Sequence, residues 1–257
     1  MSNPDPQQLR PAATVILMRE REDAPPELLM IERARTMVFA GGAMVFPGGG
    51  VDSADFAFAE RLAGNRSEST DDLAARIAAI RETIEETGVA IGLDPAPDPT
   101  TLATIRNALA MGENLAALLD GLEIQVVFDA LSPFARWIPL PRVTRAFDTR
   151  FYVAAAPDDA FETVDGGETV RLLWTTAEAS LAAAETGEQH IVFPTRCNLI
   201  RLAQFSSLAE AVSDGAAYGH HIASGRIEVR DGVEWICLDE GIGYPVTALP
   251  MDSVPRG

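Results

Sequence analysis

Three glutamates lie within one helical turn of each other in the first half of the chain. Glu82, Glu85 and Glu86 follow one another at spacings of three and four residues, so a helix places their carboxylates side by side. Like charges at these spacings destabilise a helix by about 0.2–0.5 kcal/mol per pair, and the C-terminal end of a helix further disfavours negative charge. A solvated helix face is the simpler interpretation. The double penalty nevertheless favours a bound cation, and clustered carboxylates suit Mg²⁺ or Mn²⁺.

The helix that carries these glutamates is the clearest element of the sequence. We predict that it begins at a cap on Thr70 and ends at Gly88. One side of it carries an apolar stripe at helical spacing, formed by Leu73, Ile77, Ile80 and Ile84. The three glutamates fall on the far side from this stripe.

A glycine-rich turn precedes this helix in the chain. Pro47, Gly48, Gly49 and Gly50 follow a short apolar run, which is typical of a strand that ends in a turn. Glycine lets the backbone approach a ligand closely, so Gly48 and Gly49 are candidate substrate-binding residues. Most such glycine clusters are only turns, and this one is a weak signal by itself.

Strands and helices alternate along the chain, which favours an α/β fold with a mixed sheet covered by helices on both faces. We predict strands at residues 12–18, 27–32, 147–155 and 168–174, and a hairpin over 226–238 that turns at Asp231-Gly232. Further helices are predicted at residues 56–63, 102–119 with a break near Gly112, 176–185 and 194–212. No linker divides the chain, so a single domain over residues 1–257 is expected.

Composition narrows the classes of partner. The formal net charge is −18, which disfavours binding of a nucleic-acid polymer. All 20 basic residues are arginine, and the absence of lysine excludes Schiff-base and P-loop chemistry. Arg33, Arg145 and Arg150 are candidates to grip phosphates, although a structural ion pair explains each of them equally well.

Targeting signals are also lacking. No apolar run approaches the roughly 18 residues that suggest a membrane span. The polar, proline-rich start has neither the basic residues nor the apolar stretch of a secretory signal. We therefore expect a cytoplasmic protein without membrane attachment.

The glutamate helix resembles a known signature. Residues 81–89 read Arg-Glu-Thr-Ile-Glu-Glu-Thr-Gly-Val, which is similar to the second half of the Nudix box, Arg-Glu-U-x-Glu-Glu-x-Gly-U, where U is bulky and apolar. Thr83 departs from the pattern at one apolar position. Counted from Gly49, the first glutamate of the box falls on Asp55, and 25 residues instead of seven separate Asp55 from Arg81. The extra segment reads as an insertion.

The resemblance implies both a fold and roles for the residues. The fold would be a Nudix-type α/β/α sandwich with a mixed β-sheet, helical insertions at about 56–71 and 100–122, and a C-terminal helical extension over about 190–257. Glu82, Glu85 and Glu86 would ligate Mg²⁺ or Mn²⁺, and Arg81 would hold a box glutamate in position. The general base would be Glu86 or Glu168, although Glu168 also reads as an ordinary surface charge.

Because its box is interrupted by an insertion, the chain resembles the long-insert branch of Nudix proteins, which includes the peroxisomal coenzyme A diphosphatases. The segment 145–154 and Gly243-Tyr244-Pro245 also fit that branch. The resemblance implies hydrolysis of a diphosphate linkage in a small nucleoside diphosphate derivative, with coenzyme A or acyl-coenzyme A as candidates. A nucleotide sugar, ADP-ribose or a dinucleotide is an alternative substrate, and a non-catalytic nucleotide-sensing domain is an alternative function. Many Nudix proteins are dimers, so a homodimer is an open expectation.

Overall fold

The computed structural model describes residues 9–37, 40–138, 147–158, 162–164 and 167–251. Its strands are β1 Arg10–Arg21, β2 Ala24–Arg33, β3 Met44–Val45, β4 Gly48–Gly50, β5 Leu93–Asp94, β6 Gln125–Val126, β7 Ser132–Ile138, β8 Phe147–Ala155, β9 Thr169–Thr176, β10 Ile222–Ser224, β11 Arg226–Arg230, β12 Val233–Cys237 and β13 Ala248–Pro250. Its α-helices are α1 Ser53–Ala63, α2 Thr70–Thr87, α3 Pro99–Ala110, α4 Leu115–Gly121, α5 Ala177–Glu185, α6 Phe193–Leu202 and α7 Leu208–Tyr218. None of the helices so described is long and apolar enough to cross a membrane.

Strand β1 lies at the centre of an eight-stranded mixed sheet. It runs parallel to β8 along its length, antiparallel to β4 in its first half and antiparallel to β2 in its second half. The order across the sheet is β10-β7-β8-β1-β2-β3, and β9 pairs with β2 on the far side. The glycine strand β4 is therefore held against the start of the central strand.

Two hydrophobic cores cover the two faces of this sheet. Successive side chains of β1 point to opposite faces, so Val15 and Leu17 enter one core and Ile16 and Met18 the other. The first core is completed by helices α1 to α4, and the second by helices α5 to α7. This arrangement confirms the α/β/α sandwich with a mixed sheet.

Helix α2 begins and ends close to its predicted limits. Gly88 ends it in the left-handed conformation, at φ +71°, as the sequence predicts. The cap at its start is Ser69, whose hydroxyl accepts a hydrogen bond from the Asp72 amide, and not Thr70 as predicted. Thr70 is instead the first residue of the helix. The hydroxyls of Ser69 and Thr70 are both able to cap a helix, and the local backbone conformation decides which of them does so.

The helix is buried well beyond its apolar stripe. Helices α1 and α3 contact it, and Thr83, Glu86 and Thr87 are buried as well as the stripe. The inserted segment at 56–71 contains most of α1, and the segment at 100–122 contains most of α3 and α4. Both insertions therefore pack on the glutamate helix or its neighbours, and the glutamates do not lie on an open solvated face.

Other elements confirm or correct the predictions. The break near Gly112 separates α3 from α4, and Asp231-Gly232 turns the β11–β12 hairpin with positive φ at both residues. The single helix predicted over 194–212 is wrong, because the chain leaves α6 after Leu202 and Ser207 caps the start of α7. Strand β7 was not predicted, since its residues follow one another without the alternation that marks a half-buried strand.

Candidate active site

Glu86 is the most buried glutamate of the cluster. Its side chain is 5% exposed, and its Oε2 accepts a hydrogen bond of 2.9 Å from the amide of Gly48 in β4. Burial and the charge of Glu82 raise the pKa of Glu86 to about 8, against the opposing effects of the Gly48 amide and Arg33. The ionised carboxylate therefore lacks enough positive charge around it.

Glu82 lies directly against the next glycine. A methyl group added at Gly49 would fall 2.4 Å from the carboxylate carbon of Glu82, so any larger residue there would force this carboxylate to move. Burial raises the pKa of Glu82 to about 7, and the charges of Glu85 and Asp55 add to the effect while Arg81 opposes it. The carboxylates of Glu86 and Glu82 thus lie against two consecutive glycines of β4, Gly48 and Gly49.

Arg81 links the helix to the glycine strand and to the inserted helix α1. Its Nη2 donates to the carbonyl of Gly50 and to Asp55, both at 2.9 Å, and its Nη1 donates to Glu82 at 2.8 Å and to Glu85 at 3.4 Å. Burial opposes its charge, but the hydrogen bond to Asp55 and the surrounding carboxylates raise the pKa of Arg81 above its ordinary value. Arg81 therefore orients two of the three box glutamates.

Asp55, the carboxylate that precedes the long insertion in the box, is buried beside Arg81. It is 2% exposed, sits at the start of α1, and accepts two hydrogen bonds from Arg81 and one from the amide of Asp52. Helix α1 packs along α2, and this packing brings Asp55 next to Arg81 although 25 residues separate the two in the chain. The insertion does not displace this carboxylate, which is engaged with Arg81.

Arg33 lies between two carboxylates of the site. Its guanidinium is 3.6 Å from Glu86 and 3.9 Å from Glu168, and these distances are those of loose ion pairs. The Nε of Arg33 is buried and has no hydrogen-bond partner in the described part of the chain. Glu168, just before β9, has a side chain that is 61% exposed. The structure thus brings Arg33, Glu86 and Glu168 together.

The glutamates, the glycine strand and Arg33 line a pocket of about 950 Å³. Its walls include the glycine strand, the three glutamates of α2, Arg33 and Glu168, and aromatic residues of β7 and β8. Arg106 and Asn107 of α3 also line it, and Arg106 donates to the carbonyl of Glu85 at 2.9 Å. Sequence analysis missed these two residues, because nothing in a helical insertion indicates which of its faces meets the site.

Arg150, which was predicted to bind substrate, does not line this pocket. Arg150 points to the opposite face of β8 from Thr149 and Phe151, which line the pocket, and it donates to the carbonyl of Asp71. The alternation of side chains along a strand places it there. Arg145 lies outside the described residues.

A divalent cation fits the chemistry of the donor set. As the side chains stand, no group of three acidic, histidine or cysteine residues in the described ranges is gathered to hold a metal ion. Arg81 occupies Glu82 and Glu85, and Glu86 bonds to Gly48. The raised pKa values of Glu82 and Glu86 nevertheless show buried carboxylate oxygens that lack compensating charge, and such hard donors suit Mg²⁺ or Mn²⁺. Glu82, Glu85 and Glu86 are the residues that would hold such an ion.

The chain thus folds as an α/β/α sandwich with an acidic pocket beside a glycine strand. The chain is 29% identical to a crystal structure of a NUDIX hydrolase from Alicyclobacillus acidocaldarius, with a TM-score of 0.70 over 80% of this chain and 96% of that chain. It is 25% identical over 269 residues to human acyl-coenzyme A diphosphatase NUDT19, which is 80% of this chain and 72% of that protein. In sequence and in fold the chain is therefore similar to Nudix hydrolases.

The likeness to Nudix hydrolases rests on these relatives and on the box residues. A nudix hydrolase 7 of Caenorhabditis elegans is 28% identical over 202 residues, or 76% of this chain. The match spans 61% of the worm protein, less than two thirds of its length. A comparison with models of known protein families gave no match. A strict pattern would indeed miss a box that is interrupted between Asp55 and Arg81.

Proposed function

We propose that the protein hydrolyses a diphosphate linkage in a small nucleoside diphosphate derivative, with coenzyme A or an acyl-coenzyme A as its substrate. The observation that carries this proposal is the pair of buried, undercompensated carboxylates, Glu82 and Glu86, held against the glycine strand inside the pocket. The name of the human relative supports the substrate class. The pocket is large enough to enclose groups on both sides of a diphosphate.

Each residue of the site has a role in this reaction. Glu82, Glu85 and Glu86 would hold Mg²⁺ or Mn²⁺, and the bound ion would polarise a phosphoryl oxygen and lower the pKa of a water molecule. Gly48 and Gly49 allow the diphosphate to approach the backbone, and Arg33 supplies positive charge once its loose pairs rearrange. Glu86 and Glu168 are both candidates for the general base that accepts the proton of the attacking water.

The experiment that tests the function is a product assay. The purified protein is incubated with Mg²⁺ or Mn²⁺ and coenzyme A, acyl-coenzyme A, NADH, ADP-ribose, a nucleotide sugar and dinucleoside polyphosphates, and the products are identified by mass. We expect adenosine 3′,5′-bisphosphate from the coenzyme A compounds, because cleavage of their diphosphate releases it. Cleavage of another compound would retain diphosphate hydrolysis and reject coenzyme A. Tight binding without any turnover would favour a nucleotide-sensing domain instead.

Metal binding is expected to depend on pH. The pKa values of Glu82 and Glu86 in the folded protein are about 7 and about 8, above their ordinary value of 4.5, so the metal-free fold retains protons that the unfolded chain releases. The stability that these two groups contribute is therefore fully present below the ordinary value and is lost as pH rises through the folded values. Mg²⁺ must displace these protons, so it should raise Tm more at about pH 8.5 than at about pH 6.

Thermal unfolding with and without Mg²⁺ at both pH values checks this expectation. Ca²⁺-free buffers without phosphate avoid competition for the ion. An equal shift of Tm at both pH values would show that Mg²⁺ binds away from Glu82 and Glu86.

A further inference from the structure

The floor of the pocket crosses four strands in register. Gly50 of β4 pairs with Ala12 of β1, and Ala12 pairs in turn with Thr149 of β8. Thr149 pairs with Trp137 of β7, and all four residues line the pocket. Paired residues place their side chains on the same face, so small side chains lie between the glycine strand and Trp137. Three strand spacings of about 4.8 Å put Trp137 about 14 Å from the glycine strand.

The far end of this floor is apolar. The lining residues that β7 and β8 contribute are Trp137, Ile138, Phe147, Thr149 and Phe151, and none of them is ionisable. The acidic residues that line the pocket belong instead to α2, to Asp52 and to Glu168. Of the described lining residues that β7 and β8 contribute, only Thr149 has a side-chain hydroxyl that could replace the lost hydration of a polar group. An apolar group would gain from burial there.

Trp137 is held in this wall by residues from the C-terminal part of the chain. Its indole Nε1 donates to the hydroxyl of Tyr244 at 2.6 Å, and that hydroxyl donates to Oδ1 of Asn198 at 2.9 Å. All three residues are buried, and the Trp137 and Tyr244 rings meet edge to face at 5.3 Å. Tyr244 does not itself line the pocket as described, so it acts on the wall through Trp137.

We propose that the β7–β8 end of the pocket binds an apolar portion of the substrate, and that Tyr244 is a positioning residue that holds Trp137 in its wall. The proposal rests on the proposed function, since it places the diphosphate at the glycine strand and the apolar group across β1 and β8. It assigns a task to Gly243-Tyr244-Pro245, which the chemistry at the glutamates does not use. An acyl chain carried beyond the diphosphate is the apolar group of the fitting chemical class.

The test measures binding, so that it does not depend on turnover. Coenzyme A and hexanoyl-coenzyme A are titrated into the full chain carrying Glu86→Gln, in Mg²⁺, and their Kd values are compared by calorimetry. Burial of one methylene strengthens binding by about fourfold, so the hexanoyl thioester should bind at least about tenfold more tightly. Adding Tyr244→Phe removes the acceptor for Trp137 and should shrink this ratio.

Tyr152→Phe is the matched control. Tyr152 is also buried, and its hydroxyl donates to Asp72 at 2.8 Å on the opposite face of the sheet. This variant loses one buried tyrosine hydroxyl without touching the pocket, so the Kd ratio should stay as it was. Phe147→Ala shortens the apolar wall itself and should shrink the ratio even if Tyr244→Phe folds poorly.

The possible outcomes separate the two proposals. A chain-length preference that Tyr244→Phe or Phe147→Ala reduces and Tyr152→Phe keeps would support the inference, even if the product assay finds no turnover. Equal affinities for the two ligands would overturn it, even if the wild-type protein cleaves coenzyme A, and so would a failure of both Glu86→Gln and the wild-type protein to bind either ligand. A preference that Phe147→Ala reduces and a well-folded Tyr244→Phe leaves unchanged would overturn the role of Tyr244.

Discussion

Replacing Glu86 with glutamine is expected to lower kcat/KM by about 10²–10⁴-fold, the range for loss of a residue that takes part in proton transfer. Glutamine keeps the shape of Glu86 but offers no negative charge, so it removes a metal ligand and a candidate base together. Its side-chain oxygen still accepts the hydrogen bond from Gly48, so the contact between α2 and β4 is retained. Steady-state kinetics on whichever compound the product assay identifies measures the loss.

The stability of the metal-free variant provides an independent check. Burial raises the pKa of Glu86 to about 8, so above that pH the wild-type fold holds a buried charge that the variant lacks. We expect Glu86→Gln to equal the wild type in Tm at about pH 4, where both states of the wild type are protonated, and to exceed it increasingly as pH rises to about 9. Glu60→Gln, the same change at an exposed position of α1, should alter neither activity nor Tm. Full activity of Glu86→Gln would end the proposed mechanism.

Replacing Arg81 with alanine is expected to destabilise the fold by about 3–5 kcal/mol, the cost of breaking a buried ion pair and leaving its partner uncompensated. Asp55 and Glu82 would both lose a donor, and α1 would lose its polar link to α2. Activity should fall as well, because Arg81 orients Glu82 and Glu85. Denaturant unfolding of the metal-free protein gives the change in free energy.

Arg61→Ala provides the comparison for this loss. Arg61 also donates two hydrogen bonds to one aspartate, Asp120, but both side chains are about half exposed. Exposed pairs of this kind contribute about 0–1 kcal/mol. Equal, small losses in the two variants would contradict the central position given to Arg81. Mg²⁺ should restore part of the stability of Arg81→Ala, since a bound cation replaces some of the missing charge.

The box was predictable because its information is local. Helical spacing alone places Glu82, Glu85 and Glu86 together, and a single glycine at position 88 marks where the helix ends. The alternation of strands and helices was likewise sufficient for the sandwich fold. The metal ligands and the general base stay predictions, since the structure contains the carboxylates and not the ion.

The predictions that failed depended on neighbours distant in the chain. Arg150 reads like a phosphate ligand, but the register of β8 against β1 turns it to the face opposite the pocket. The helix predicted over 194–212 is interrupted after Leu202, although its apolar residues continue at suitable spacing. In both cases the local pattern was compatible with the prediction, and packing against other elements determined the result.

The sequence by itself determined the sandwich fold, the glutamate helix and the glycine strand, because short-range periodicity, capping and turn chemistry specify such elements. Only the tertiary structure decided how much charge surrounds each glutamate, since burial by α1 and α3 is a property of packing. It also brought Asp55 to Arg81 across the long insertion, and Tyr244 to Trp137 across 107 residues of chain. Contacts of this range depend on strand register and helix packing, which no local stretch of residues encodes.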